Sequence, residues 1–127
     1  MSTLVLDAGA LVAVDRGDRA VLARLRAADR HGVGLRTNAI VVAQVWRGHR
    51  GRQATLAKLL AAVDIRAVDE AVGRAAGVLL AQAGTSDPID ATVVLLAEPG
   101  DRILTGDPDD LTGLAVAAKR QVVILGC

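Results

Sequence analysis

Short apolar runs alternating with helical segments constrain this chain more than any other feature. Thr3–Leu6, Ile65–Val68, Arg102–Thr105 and Val122–Leu125 are brief stretches dominated by Val, Leu and Ile, and Gly32–Thr37 reads as a loop leading into another. Runs this short, bounded by turn residues, suit buried strands better than helices. Between them lie segments with helix-starting and helix-ending residues. Ala8–Val14 is apolar, and Asp18 caps Arg19–His31, where Val21, Leu22, Leu25 and Ala28 form a stripe. Thr37-Asn38 leads into Ala39–Arg47, stopped by Gly48, and a further helix spans about Arg52 to Ala62. Asp69 caps Glu70–Ala83, Asp87-Pro88 starts a helix to about Ala97, and Asp107-Pro108 starts one to about Ala118. Strands that alternate with helices predict the α/β class, with a parallel sheet of about five strands flanked by helices. At 127 residues, one domain over 1–127 is expected.

Composition narrows the setting. Apolar residues make up 52% of the chain, yet there is one Trp and neither Phe nor Tyr, so Ala, Val and Leu must fill the interior. The single cysteine, Cys127, excludes an intramolecular disulfide and fits a reducing cytoplasm. Asp7 interrupts any signal-like apolar run, and Ala91–Ala97 is far too short to span a bilayer, so no membrane association is expected. The net charge of +1 hides an asymmetry: residues 1–58 carry ten Arg or Lys against four acids, and residues 59–127 carry five against ten. The first part is a candidate polyanion surface, and the second holds most of the acids.

Three turns concentrate those acids in telling places: Leu4-Val5-Leu6-Asp7, Asp87-Pro88-Ile89-Asp90 and Ile103-Leu104-Thr105-Gly106-Asp107-Pro108-Asp109-Asp110. Each has a plain explanation in helix starting, since Asp favours caps and first turns and Pro the first helical position. Asp7 and Asp107, however, each close an apolar run, and parallel sheets hold their ligands at the carboxyl ends of their strands. If those two strands are neighbours, their carboxylates share one crevice, and Asp90 can reach it from its helix. Clustered carboxylates repel one another unless protonated, solvated or bridged by a cation, and hard oxygen ligands suit Mg²⁺ or Mn²⁺. Such a site would act on phosphate esters. No GxSxG, Walker loop, CxxC or zinc-type His pair offers other chemistry. His31 at a helix end, His49 in the basic turn beside Arg50, and Trp46 have ordinary structural explanations.

With Leu4-Val5-Leu6-Asp7-Ala8, Thr37-Asn38-Ala39 leading to Gln44-Val45-Trp46-Arg47-Gly48, Asp87-Pro88-Ile89-Asp90-Ala91, and Leu104-Thr105-Gly106-Asp107-Pro108-Asp109-Asp110-Leu111, the chain resembles the PIN-domain ribonucleases along its whole length. Within them it looks most like the VapC toxins of bacterial toxin–antitoxin pairs. The resemblance implies a single PIN-like domain that cleaves RNA, with tRNA and rRNA as candidate substrates, using Mg²⁺ or Mn²⁺. It implies a homodimer and a small antitoxin of VapB type as partners. It places metal-holding acids at Asp7, Asp90 and Asp107, adds Asp109 as a further acid, and matches Thr105 to the small hydroxyl residue before the fourth acid, where Thr105 is expected to contact substrate. Asp87 is an extra carboxylate that either orients water or caps its helix.

The chain departs from that pattern at Gln44, where the family usually carries Glu. Glutamine keeps an oxygen ligand and loses the charge, which implies weaker metal binding and either a site that works with fewer charges or one whose activity is reduced or absent. Arg47, one turn on, and Arg50 are expected to contact substrate phosphate, Arg47 from within the crevice. The competing expectation is a catalytically impaired PIN-like module that binds RNA or protein without cutting. A haloacid-dehalogenase-type phosphatase would need an acid where Gly9 stands, and a phosphoacceptor receiver domain would need an Asp ending a central strand and a Lys ending a later one, a frame that Ile65–Val68 does not supply.

Overall fold

The computed structural model describes residues 2–48 and 51–127. In chain order the elements are β1 (Thr3–Leu6), α1 (Ala8–Asp15), α2 (Arg19–Arg30), β2 (Gly34–Asn38), α3 (Ala39–Val45), α4 (Ala54–Leu60), β3 (Asp64–Arg66), α5 (Glu70–Ala83), α6 (Pro88–Val94), β4 (Arg102–Thr105), α7 (Pro108–Ala117) and β5 (Val123–Gly126). The five strands form one sheet in the order β3-β2-β1-β4-β5, and every pairing is parallel. α1 packs against α2, α3 and α4, and α5, α6 and α7 pack against one another.

The caps expected from the sequence recur. Asp18 accepts from Val21 N, Asp69 from Val72 N, and Asn38 from Ile40 N and Val41 N. Gly84 ends α5 in the left-handed conformation that glycine adopts at little cost. Several boundaries differ from the sequence expectation, for long-range reasons. α3 stops at Val45 rather than Arg47 because buried Gln53 accepts from Arg47 N and donates to Val45 O, ending the ladder. α6 stops at Val94 rather than about Ala97; Leu96 N and Ala97 N bond back three residues to Val93 and Val94, a tighter last turn. Its trailing carbonyls are capped by arginines, Arg36 on Leu96 O and Arg120 on Ala97 O. β3 is only Asp64–Arg66, an exposed edge strand, and not Ile65–Val68.

Leu4, Val5 and Leu6 of β1 and Ile103 and Leu104 of β4 are buried in the middle of the core, with Leu11 and Val14 of α1, Val41 of α3, Leu56 of α4, Val93 and Val94 of α6 and Leu111 of α7. Small aliphatic residues do the filling, as the composition requires. No helix among the described residues is long and apolar enough to cross a membrane.

The strand order fixes where a ligand can sit. From β1 the chain goes to β2 on one side, and from β4 it goes to β5 on the other. The sheet therefore reverses its winding between β1 and β4, and open α/β sheets form their ligand crevice outside the carboxyl ends of the strands at such a switch point. The residue after β1 is Asp7, and two residues after β4 stands Asp107.

Candidate active site

The condition set by the sequence is met: β1 and β4 are neighbours, with Leu6 in register with Leu104. Asp7 is buried, and both its oxygens are engaged. Oδ1 accepts from Ala8 N at 2.7 Å, and Oδ2 accepts from the Thr105 hydroxyl, also at 2.7 Å. The same Thr105 oxygen accepts from Asp107 N at 3.0 Å. Thr105 thus ties the first acid to the turn that carries the last one. It is fully buried, so the substrate contact expected of it is replaced by a positioning role.

The two turns touch through glycine. A Cβ on Gly9 would lie 2.6 Å from Gly106 N and 3.0 Å from its Cα. Only a residue without a side chain lets the first turn of α1 approach the β4–α7 turn this closely. The phosphatase pattern wanted an acid at position 9; here the position has no room for one.

Asp87 and Asp107 look alike in sequence and differ in structure. Asp87 is a working cap, accepting from Ile89 N and Asp90 N. Asp107 stands at the cap position of α7 and makes no side-chain capping bond, so its carboxylate is left for other work. Asp90, half-buried in the first turn of α6, is pushed up to about 6, first by burial and then by the negative charges of Asp87, Asp7, Asp107 and Asp110. Four carboxylates therefore act on a fifth. Asp110, which the sequence suggested only as a capping partner, belongs to this field. Asp109 lines a small cavity of about 190 Å³ with Asp90, Asp110, Ala83 and Thr85.

Among the described residues, no three His, Cys, Asp or Glu side chains are gathered tightly enough to form a preassembled metal site. The donor set still fits a hard divalent cation. It is all oxygen, each Asp7 oxygen retains a lone pair, and the neighbouring negative charges that add to burial in raising Asp90 are what a cation would relieve.

The remaining expected residues lie further out. Gln44 is exposed on α3. Arg47 does not face the crevice as expected: its guanidinium folds back onto the carbonyls of Ala43, Gln44 and Trp46, closing the C-terminal end of α3. Arg50 and His49 fall outside the described residues. Asn38, which the sequence offered only as a cap, also donates to Thr92 of α6 at 3.1 Å and so ties α3 to the helix carrying Asp90. Thr37 beside it donates to Leu6 O, the residue before Asp7. Long-range bonds of this kind leave no mark in the sequence. Cys127 is an exposed free cysteine whose sulfur lies near Gly9, and partial burial, then Asp7 and Asp18, raise its thiol above the usual range.

No family model matches the chain, and no curated protein matches it in sequence. Among solved structures, it is similar to a chain in the crystal structure of VapBC2 from Rickettsia felis bound to a DNA fragment from their promoter. The TM-score is 0.71 at 13% identity, and the match covers 98% of each chain. The chain has a PIN-like fold. Within this PIN-like fold, Asp7 and Asp107 flank the switch point of the sheet and Asp90 approaches from α6.

Proposed function

We propose that this chain is a metal-dependent endoribonuclease, the toxin of a type II toxin–antitoxin pair. The observation that carries the reading is the parallel pairing of β1 with β4, which sets Asp7 and Asp107 at one carboxyl edge of the sheet, with the pKa of Asp90 pushed up to about 6 first by burial and then by the charges of Asp87, Asp7, Asp107 and Asp110. Asp7, Asp90 and Asp107 would hold Mg²⁺ or Mn²⁺, with Asp109 on α7 lining a cavity beside Asp90. Bound there, the ion would offset the charge of a phosphodiester and lower the pKa of a water. Asp7 is the rigid member, fixed by Thr105 and Ala8 N. Asp107, free of capping, is the member that can turn inward. Arg50, with other arginines of the α3–α4 connection, would meet substrate phosphate.

The similarity to a VapBC2 structure supports a small VapB-type antitoxin as partner. A groove of about 530 Å³ lined by Leu22, Leu25, Val33, Leu35 and Leu59 suits an apolar segment of such a protein. Exposed Val78 of α5 and Val116 of α7 suit a homodimer contact. RNA is the substrate, and the cytoplasm is the compartment where it would be met.

The test is cleavage of labelled RNA by purified protein with Mg²⁺ or Mn²⁺, with and without chelator, alongside Asp7→Asn. Metal-dependent cutting lost in Asp7→Asn is the expected result. Cutting that survives both chelation and Asp7→Asn would sink the proposal.

A further inference from the structure

A second polar cavity, of about 370 Å³, lies between the β2–β3 side of the sheet and α6, and its chemistry is opposite to that of the acidic crevice. Arg36, Arg66 and Arg120 line it against one acid, Glu98, and Val68, Val72 and Leu95 form an apolar wall. The three arginines are not equivalent. Arg36 is spent: Nε pairs with Asp64 at 3.2 Å, and Nη1 caps Leu96 O beside Asp101. Arg120 gives Nη1 to Ala97 O. Arg66 is held to Asp64 through Nε alone among the described residues, so both its terminal nitrogens remain available in an exposed side chain. Asp64 serves both Arg36 and Arg66, and Asp101 also lies 4.0 Å from Arg36, so what the cavity offers a ligand is the pair of terminal nitrogens on Arg66.

The cavity also borders the crevice. Its rim includes Asn38 and Thr92, which bond to each other. Thr92 follows Asp90 by two residues on α6, about 3 Å along the helix axis. Arg66 ends β3 in register with Asn38, at the same carboxyl edge of the sheet as Asp7. A volume of this size, with an apolar wall and a few convergent donors, has the make-up of a small-ligand site.

We propose that this cavity holds one nucleotide unit of a single RNA strand beside the acidic crevice, with phosphate on Arg66 and Arg120 and the base against Val68, Val72 and Leu95. The proposal deepens the ribonuclease reading and rests on it for the identity of the strand. Arg66 is thus a substrate-positioning residue, set apart from the acids.

The experiment measures binding of a short labelled oligouridylate by anisotropy, in chelator, so that no cleavage occurs. Wild-type protein is compared with Arg66→Gln and Arg66→Lys across a salt series. Arg66 is exposed and Asp64 keeps Arg36, so the melting temperature should not move. Arg66→Gln should weaken binding about fivefold and flatten the slope of log affinity against log salt by about 0.7, the share of one phosphate on a single strand, while Arg66→Lys should keep most of both. Equal affinity and equal slope in Arg66→Gln would overturn the proposal. Uridine monophosphate binding as tightly as the oligomer would overturn the strand and leave a free-nucleotide site. A polyglutamate peptide binding in an Arg66-dependent manner where RNA does not would replace it with an acidic protein partner. Arg66-dependent RNA binding by a protein that never cuts would keep this inference and sink the nuclease. Cleavage with KM unchanged in Arg66→Gln would sink this inference alone.

Discussion

Replacing Gly9 by alanine should separate the two acid-bearing turns. The new Cβ would stand 2.6 Å from Gly106 N, where ordinary contact begins at 3.4 Å, so the turns must part by about 0.8 Å. Both surfaces are backbone, and neither can swing aside. The Thr105–Asp7 hydrogen bond, 2.7 Å long, would stretch to roughly 3.5 Å and cease to be one. Overpacking of this sort costs about 1–3 kcal/mol, and a buried carboxylate losing a partner costs about 1–3 kcal/mol. Alanine returns up to about 1 kcal/mol of helix propensity. The net loss is about 3 kcal/mol, or roughly 9–15 °C in Tm for a chain of this size. Calorimetry should compare it with Gly73→Ala and Gly77→Ala in α5, where an added Cβ meets nothing within 4 Å. Those two should gain about 0.5–1 kcal/mol each. Gly9→Ala melting at or above wild type would refute the claim that this contact sets the spacing of the site.

Asp90 makes the metal-free protein lose stability as pH rises. Its folded pKa, about 6, lies above the ordinary 3.8, so the native state binds its proton more tightly. Stability therefore falls from about pH 4 to about pH 6 and stays lowered above it, by on the order of 1 kcal/mol after discounting for solvent screening of a half-buried group. Asp90→Asn should remove that fall and raise Tm at neutral pH in chelator; a variant as pH-sensitive as wild type would contradict the assignment. Mn²⁺ should raise the wild-type Tm at neutral pH by relieving the same repulsion and should do little for Asp90→Asn, so indifference of the wild type to Mn²⁺ would count against a metal site. Thr105→Val, which keeps shape and drops the hydroxyl, should cost about 1–3 kcal/mol and weaken Mn²⁺ binding by calorimetric titration; unchanged metal affinity would deny Thr105 its positioning role. Gln44→Glu should tighten Mn²⁺ binding, and equal affinities would place Gln44 away from the ion.

Much of this fold can be read locally. Short Val/Leu/Ile runs give the strands, and Asp18, Asn38, Asp69 and Asp87 announce helix starts because capping depends on near neighbours. The placement of Asp7 and Asp107 at strand ends is visible in the same way. What the sequence withholds is pairing. Nothing local says that β4 lies beside β1, which is what joins the two acids. Nothing local distinguishes Asp87, which caps, from Asp107, which does not. Thr105 looks like a candidate for substrate until its hydroxyl is found between Asp7 and Asp107 N. Arg47 looks like a phosphate ligand until its guanidinium is found closing its own helix. Gly9 carries no signal at all, because its reason is the backbone of Gly106, far along the chain.

The most direct test of the central claim is cleavage of a labelled RNA by the purified chain under titration with Mn²⁺, repeated with Asp7→Asn and Asp90→Asn. Cutting should rise with the metal, stop with chelator, and be lost in both variants while each remains folded. Cutting that persists at full rate in either variant, or that needs no metal, would contradict it.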